Sequence, residues 1–241
     1  MSSTTWTPRA LESEAADYAL PLWRAVEAQH VVATRALVDT LDEQAVLEQI
    51  LDDAKPPVPA ACARLDYLLF TPFRYPPTRG GSRFRDLVDP GVWYGADAIA
   101  TACAEVGYWR SRFVAASAGL QRLDGVAHTI FRATARGIGI DLRQPPLVRD
   151  DAEWTAPDDY GPCQRIARVA REAELRIIRY RSARDPAGGA CAAVLDCRAF
   201  AGGGGIKLRQ TWFLTADAKR ATWVRADTRP GAAESHEYVW A

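Results

Sequence analysis

Histidine is scarce in this 241-residue chain. His30, His128 and His236 are the three present, and their scatter leaves no HExxH or comparable pair, which removes the usual zinc-hydrolase signatures. The five cysteines, Cys62, Cys103, Cys163, Cys191 and Cys197, are odd in number and show no CxxC spacing. That argues against a zinc ribbon and a disulfide framework, and the expectation is reduced, mostly buried thiols in a cytoplasmic protein. Net charge is also missing: 30 basic and 30 acidic residues sum to zero, with a pI near 6.8. No bulk attraction to nucleic acid or to an anionic membrane follows, so an anionic ligand has to be met by local groups. No apolar run approaches eighteen residues, and no basic N-terminal segment precedes an apolar one, so neither a membrane span nor an export signal is expected. Rossmann GxGxxG spacing is absent, and the glycines at 202–205 lack both a GK[ST] continuation and a following helix, so they read as a flexible turn. There is no internal repeat.

What is present fits one domain able to bury roughly 70–75% of its unfolded surface. Strand and helix signals alternate irregularly, which is an α+β pattern. Residues 1–60 read as an N-terminal arm and helical preface packed on the core, and residues 61–241 as the main domain. A short helix is expected near Glu12–Tyr18, a strand at Leu22–Val26, and one or two amphipathic helices from Val31 to Asp53, ended by Lys55-Pro56-Pro57-Val58-Pro59. A further helix is expected over Ala60–Leu69. Phe70 to Pro77 is aromatic, proline-rich and cationic, and reads either as a pocket wall for a flat ring or as an ordered connector.

The chain is organised around Gly80–Arg112. A Gly-Gly turn leads through Arg83 to a turn at Pro90-Gly91, then a strand at Val92-Trp93-Tyr94, and then an alanine-rich helix capped by Asp97 and running to about Arg112. Glu105 lies mid-helix on a face shared with Thr101, Ala102, Tyr108 and Trp109. Spacings of eleven residues from Arg83 to Tyr94 and from Tyr94 to Glu105 let a cation, a ring and an anion converge. Read from spacing alone, ordinary surface charges are the commoner outcome for such residues. Downstream, strands are expected at Val126–Arg132, Arg176–Tyr180 and Ala190–Leu195, an extended stretch at Leu142–Val148, and a loop from Glu153 to Tyr160. A helix is expected over Pro162–Glu174, with Gln164 at its start, and a closing hairpin through Thr211–Leu214 and Thr222–Arg225.

Gly80-Gly81-Ser82-Arg83-Phe84, Gly91-Val92-Trp93-Tyr94, Thr101-Ala102-Cys103-Ala104-Glu105 and Tyr180-Arg181-Ser182-Ala183-Arg184 resemble, in order, the motifs of the RES-domain family of bacterial toxins. Two departures stand out: Ser82 is inserted before Arg83, and Arg181 replaces a usual proline before Ser182. The resemblance implies a compact β-sandwich core similar to ADP-ribosyltransferases, with NAD as a consumed substrate, no resident cofactor and no metal. It implies that Glu105 stabilises charge on the ribose, Arg83 holds the pyrophosphate, Tyr94 packs on nicotinamide or ribose, and Ser182 donates to phosphate or orients the ring. Arg24 and Arg74 are further candidates for NAD contact, with a structural pairing the alternative for Arg24. The activity implied is cleavage of the nicotinamide–ribose bond, with water, phosphate or a protein as acceptor of ADP-ribose. Alternatives are modification of one specific protein and a non-catalytic binding module. The implied partner is a cognate antitoxin that carries a DNA-binding domain and blocks the NAD cleft. A nuclease would want a basic face or a metal cluster, neither of which is evident.

Overall fold

A computed structural model describes residues 6–28, 37–76, 80–202, 205–226 and 234–240. The expected helix start at Val31, the end of the connector at Pro77 and the central pair of the 202–205 glycines lie outside them.

Among the described residues the elements run α1 (Pro8–Ser13), β1 (Ala16–Glu27), α2 (Leu41–Asp53), α3 (Tyr67–Arg74), β2 (Trp93–Ala96), α4 (Ile99–Ala116) and β3 (Arg122–Asp141). Then follow α5 (Asp151–Trp154), α6 (Gly161–Glu172), β4 (Ile177–Arg181), β5 (Ala190–Val194), β6 (Ile206–Asp217), β7 (Arg220–Arg225) and β8 (Ser235–Val239). The α+β class is as the pattern indicates. All eight strands join one sheet in the order β1-β2-β5-β4-β3-β6-β7-β8, and β1 also pairs with β3. That extra pairing, from Ala16 opposite Gly139 to Glu27 opposite His128, folds the sheet back on itself. The two layers of a sandwich thus come from one curled sheet. Residues 16–27 are integral to it.

Alternation along short strands splits the core. On β5, Cys191 and Ala193 face a cluster with Phe84, Tyr180 and α6, while Ala192 and Val194 face Trp93, Phe131 and Phe200. A third cluster packs Cys103 of α4 against Trp212, Leu214 and Trp223 of β6 and β7. Helix α4 approaches the sheet through a stripe of small buried residues, Cys103, Gly107 and Ser111. A Cβ on Gly107 would stand 2.9 Å from the Cβ of Ala221, so the stripe sets how close this helix lies. Its opposite face is left for the cleft.

Several sequence expectations are corrected. The first helix is Pro8–Ser13, because Thr7 caps it and Pro8 starts it, and the chain is already extended at Ala16. Phe70–Arg74 is helical: Asp66 caps α3, and Pro72 sits inside it. Ala60–Cys62 is only a 3₁₀ turn. Asp97 does not cap α4; Ala98 holds that position with no side-chain bond, and Asp97 pairs with Arg179. The stretch 142–148 turns into a 3₁₀ segment instead of extending, and residues 151–154 are helical. Helix α2 leaves Leu41, Val46, Ile50 and Leu51 exposed, so its apolar residues are not core.

Cys62 and Cys197 form a disulfide, contrary to the expectation that all five cysteines are reduced. Their distance in sequence hid the pairing. Cys103, Cys163 and Cys191 are free and buried. Cysteine content therefore gives no support to a reducing compartment, and among the described residues no helix is long and apolar enough to cross a membrane. A bridge closing a 135-residue separation restricts the unfolded chain strongly. Reduction, or Cys62→Ala with Cys197→Ala, is expected to cost about 2–5 kcal/mol, read in thermal scans as roughly 2–4 °C of lost Tm per kcal/mol. An unchanged Tm with and without reductant would show the bond to be absent in solution.

Candidate active site

Arg83 is presented by a two-residue turn. Ser82 N–H donates to Arg85 O at 2.6 Å and Arg85 N–H returns to Ser82 O at 3.1 Å, with Arg83 and Phe84 at the tip. Phe84 is fully buried against Tyr180, ring centroids 4.8 Å apart, and anchors the turn. Gln164 of α6 clamps it by donating Nε2 to Ser82 O and Arg85 O. A Cβ on Gly81 would lie 2.3 Å from Arg85 O, so the turn requires glycine there. Tyr94 closes the assembly: its hydroxyl accepts from Phe84 N–H at 3.0 Å and bonds Ser82 Oγ at 2.8 Å. Burial pushes the Tyr94 phenol up to about 12. Tyr94 is therefore fixed as a neutral ring with its hydroxyl committed to the turn.

The second half is built from α4 and the loop 182–189. Ser182 N–H donates to Gly189 O, closing the loop. Ser182 Oγ accepts from Arg184 N–H at 3.1 Å and Asp185 N–H at 2.9 Å, and donates to Glu105 Oε1 at 2.5 Å. Both lone pairs are used, so its proton points at Glu105. One turn earlier on α4, Thr101 Oγ1 donates to Asp185 Oδ2 at 2.8 Å. A Cβ on Gly189 would fall 2.1 Å from Thr101 Oγ1, which restricts that position to glycine. Trp240, just past β8, adds a third tie: its Nε1 donates to Arg184 O at 2.9 Å, and its ring packs edge-on to Tyr108.

These parts line one cleft of about 690 Å³ that contains Arg24, Ser82, Arg83, Tyr94, Glu105, Tyr160, Tyr180, Arg184 and Cys191. Arg83, Tyr94 and Glu105 converge as their elevenfold spacing allows. Burial pushes the Glu105 carboxyl above its usual range, with Asp185 adding to that; the Ser182 hydrogen bond and the Arg83 and Arg184 charges oppose it. Arg83, 9% exposed, donates Nη1 to Trp154 O and Ala156 O at 2.9 Å and lies over the Tyr160 ring at 4.8 Å. The other edge of its guanidinium is what remains for an anion. Arg24 donates to Tyr94 O at 2.7 Å, stacks on Trp93, and has its Nε buried without a partner. Burial lowers its pKa to about 10, still leaving it cationic.

Ser182 stands behind Glu105 and does not line the cleft, and Arg74 bonds Pro56 O away from it, so neither is placed to touch a ligand there. Sequence reasoning passed over Arg184, which is 5% exposed, bonds Tyr160 OH at 3.1 Å and lies 3.9 Å from the Tyr108 ring centroid. Its signal was present, since it ends the very Ser-x-Arg motif that drew attention to Ser182. Asp185, the second acid near Glu105, was missed too. Among the described residues no group of three or more His, Cys, Asp or Glu is placed to hold a metal ion.

The curled sheet and α4 thus enclose one cleft lined by aromatic rings, two glutamates and four arginines. The family model described as the RES domain matches residues 57–217, well over half the chain and all four motif positions, and the chain belongs to that family. Among solved structures it is similar to the M.tuberculosis MbcT-MbcA toxin-antitoxin complex, at 15% identity and a TM-score of 0.49, covering 86% of this chain and 91% of that one. No curated protein matches the sequence.

The Glu105 environment sets a sign for stability against pH. A folded-state pKa above the unfolded value means that the folded protein holds this proton more tightly. Its stabilising contribution is complete below the unfolded pKa and is lost as pH rises through the folded one. Glu105→Gln, which keeps an acceptor for Ser182, is therefore expected to melt above wild type at pH 8, with the gap closing towards pH 4. A gap that widens on acidification would reverse the assignment.

Proposed function

We propose that this chain is the toxin of a toxin–antitoxin pair, and that it acts by consuming NAD through cleavage of the nicotinamide–ribose bond. The observation that carries the reading is the charge arrangement of the cleft. Glu105 faces a space lined by Arg24, Arg83 and Arg184, none of which forms an ion pair among the described residues. A chain of zero net charge has concentrated unpaired guanidinium groups in one place, which suits a diphosphate. RES-family membership supports the choice of NAD.

In that reaction the C1′–N bond breaks, nicotinamide leaves as a neutral molecule with the bonding pair, and the acceptor attacks C1′ and loses its proton. No strong general acid is needed, because the leaving group is a cation in the substrate. The barrier lies in the positive charge that grows on the ribose, and an ionised Glu105 stabilises that charge more than it does the ground state. Arg83, with Arg24 and Arg184, holds the diphosphate, and the Tyr94 ring packs on nicotinamide or ribose. Ser182 holds the carboxylate in place and does not meet the substrate. Among the described residues the carboxylates that could serve as a base for a protein acceptor are engaged: Asp185 accepts from Thr101 Oγ1 and Ala187 N–H, and Glu27, which also lines the cleft, pairs with Arg110. This favours water or phosphate as acceptor. The proposed partner is an antitoxin that occludes the cleft and carries a DNA-binding domain.

The test follows free nicotinamide and protein-bound ADP-ribose in parallel, with purified protein, NAD and cell extract. Wild type is expected to release nicotinamide without labelling a discrete protein, and Glu105→Gln to be roughly 10²- to 10³-fold slower. A single labelled band would indicate a modifying transferase instead. Release no faster than by Glu105→Gln would leave a binding module as the better account. Ser182→Ala removes a hydrogen bond that favours the ionised carboxylate, so the acid limb of kcat is expected to move to higher pH while KM stays near wild type.

A further inference from the structure

We infer that the outer half of the cleft is a purine subsite, built by the second half of α4 against the end of β1. The inference rests on the NAD reading above and extends it to the part of the molecule that this reading leaves unassigned. Glu105, Trp109 and Phe113 stand four residues apart on one helix face, so they form a ridge running out of the cleft. At 1.5 Å per residue, Trp109 lies about 6 Å and Phe113 about 12 Å along the helix axis from Glu105.

Both rings line the cleft and both are half-exposed, Trp109 at 50% and Phe113 at 51%, whereas Cys103, Gly107 and Ser111 on the opposite stripe are buried. Trp23 and Val26 of β1 line the same cleft. Trp23 is itself steadied by the Arg132 guanidinium, 5.5 Å from its ring centroid. An ion pair between Arg110 of α4 and Glu27 of β1 also lines the cleft and offers N–H donors and carboxylate acceptors beside these rings. A purine has both kinds of group on its edge and two apolar faces, so stacking and edge contacts are satisfied together.

The company the ridge keeps selects the ligand: Glu105, Arg24, Arg83 and Arg184, the two aromatic rings and the Arg110–Glu27 pair all line the same cleft. Arg184 lies beside the ridge, with its guanidinium carbon 5.4 Å from the Trp109 ring centroid and its backbone N–H on Ser182 Oγ. A dinucleotide likewise joins a reacting ribose, a diphosphate and a purine, one part for each kind of group. The occupant is thus the adenylate half of the substrate, and the ridge supplies discrimination between a dinucleotide and a mononucleotide.

The experiment compares NAD with nicotinamide mononucleotide, which has the same scissile bond and no adenylate. Trp109→Ala is expected to raise KM for NAD roughly 10- to 100-fold, the range for loss of one stacked base, and to raise KM for the mononucleotide far less. Trp109→Tyr is expected to restore most of the affinity. Equal losses on both substrates would overturn the assignment. A binding arm separates this from failure of the NAD reading: 5′-AMP is titrated by calorimetry into the full chain carrying Glu105→Gln, with and without Trp109→Ala. AMP binding that weakens at least tenfold with Trp109→Ala supports the subsite even if no turnover is found. No binding of AMP, or binding indifferent to Trp109, would assign the exposed rings to another occupant and reject it. Because both rings are half-exposed, an unchanged Tm in each variant is expected.

Discussion

A single hydroxyl holds the candidate site together. Ser182 Oγ takes two backbone N–H groups from its own loop and gives its proton to Glu105, so the loop's shape and the carboxylate's position are one constraint. Burial favours the neutral acid and keeps the carboxyl above its usual range; that donor, with Arg83 and Arg184 nearby, opposes the shift and favours the ionised form. The Thr101–Asp185 bond one turn earlier and the Trp240 bond to Arg184 O keep loop and helix from sliding past each other. Two of these ties come from short polar side chains whose geometry leaves little freedom.

The arginines share a second design. Each spends part of its guanidinium on main-chain carbonyl oxygens or tyrosine: Arg24 on Tyr94 O, Arg83 on Trp154 O and Ala156 O, Arg184 on Pro157 O and Tyr160 OH. Carbonyl acceptors fix direction without cancelling charge, whereas a carboxylate partner would have done both. Positive potential is thereby kept in the cleft although the whole chain is neutral. Arg179 and Arg181 illustrate the contrast. Each pairs with an aspartate, Asp97 and Asp151 respectively, and each is structural.

Much of the sheet was legible, because β2, β4, β5 and the β6–β7 hairpin carry short apolar runs bounded by turns. The central role of β1 was not, since alternation along residues 16–27 says nothing about pairing with a strand more than a hundred residues away. Helix α3 was not anticipated because the proline-rich stretch read as a wall or connector, yet Pro72 sits two residues from the helix end, and Leu68 O, the carbonyl it leaves without a backbone donor, accepts from Trp93 Nε1 instead. The apolar residues of α2 have helical spacing, and spacing cannot say whether a face meets a core. For the site, the motifs singled out Arg83, Tyr94 and Glu105, which line one cleft, whereas Ser182 lies behind Glu105 and Arg74 bonds Pro56 O outside it; which side of a carboxylate a group occupies is not written in local sequence.

The sequence by itself determined the family, the α+β class and the identities of cation, ring, carboxylate and hydroxyl, because these depend on local turns, helix spacing and residue chemistry. Only the tertiary structure decided that Ser182 serves Glu105 from behind, that Arg184 belongs in the cleft and that Cys62 meets Cys197. Each of these brings together groups separated by many tens of residues, and such meetings are fixed by how the sheet curls and how closely α4 lies on it, which no local pattern encodes.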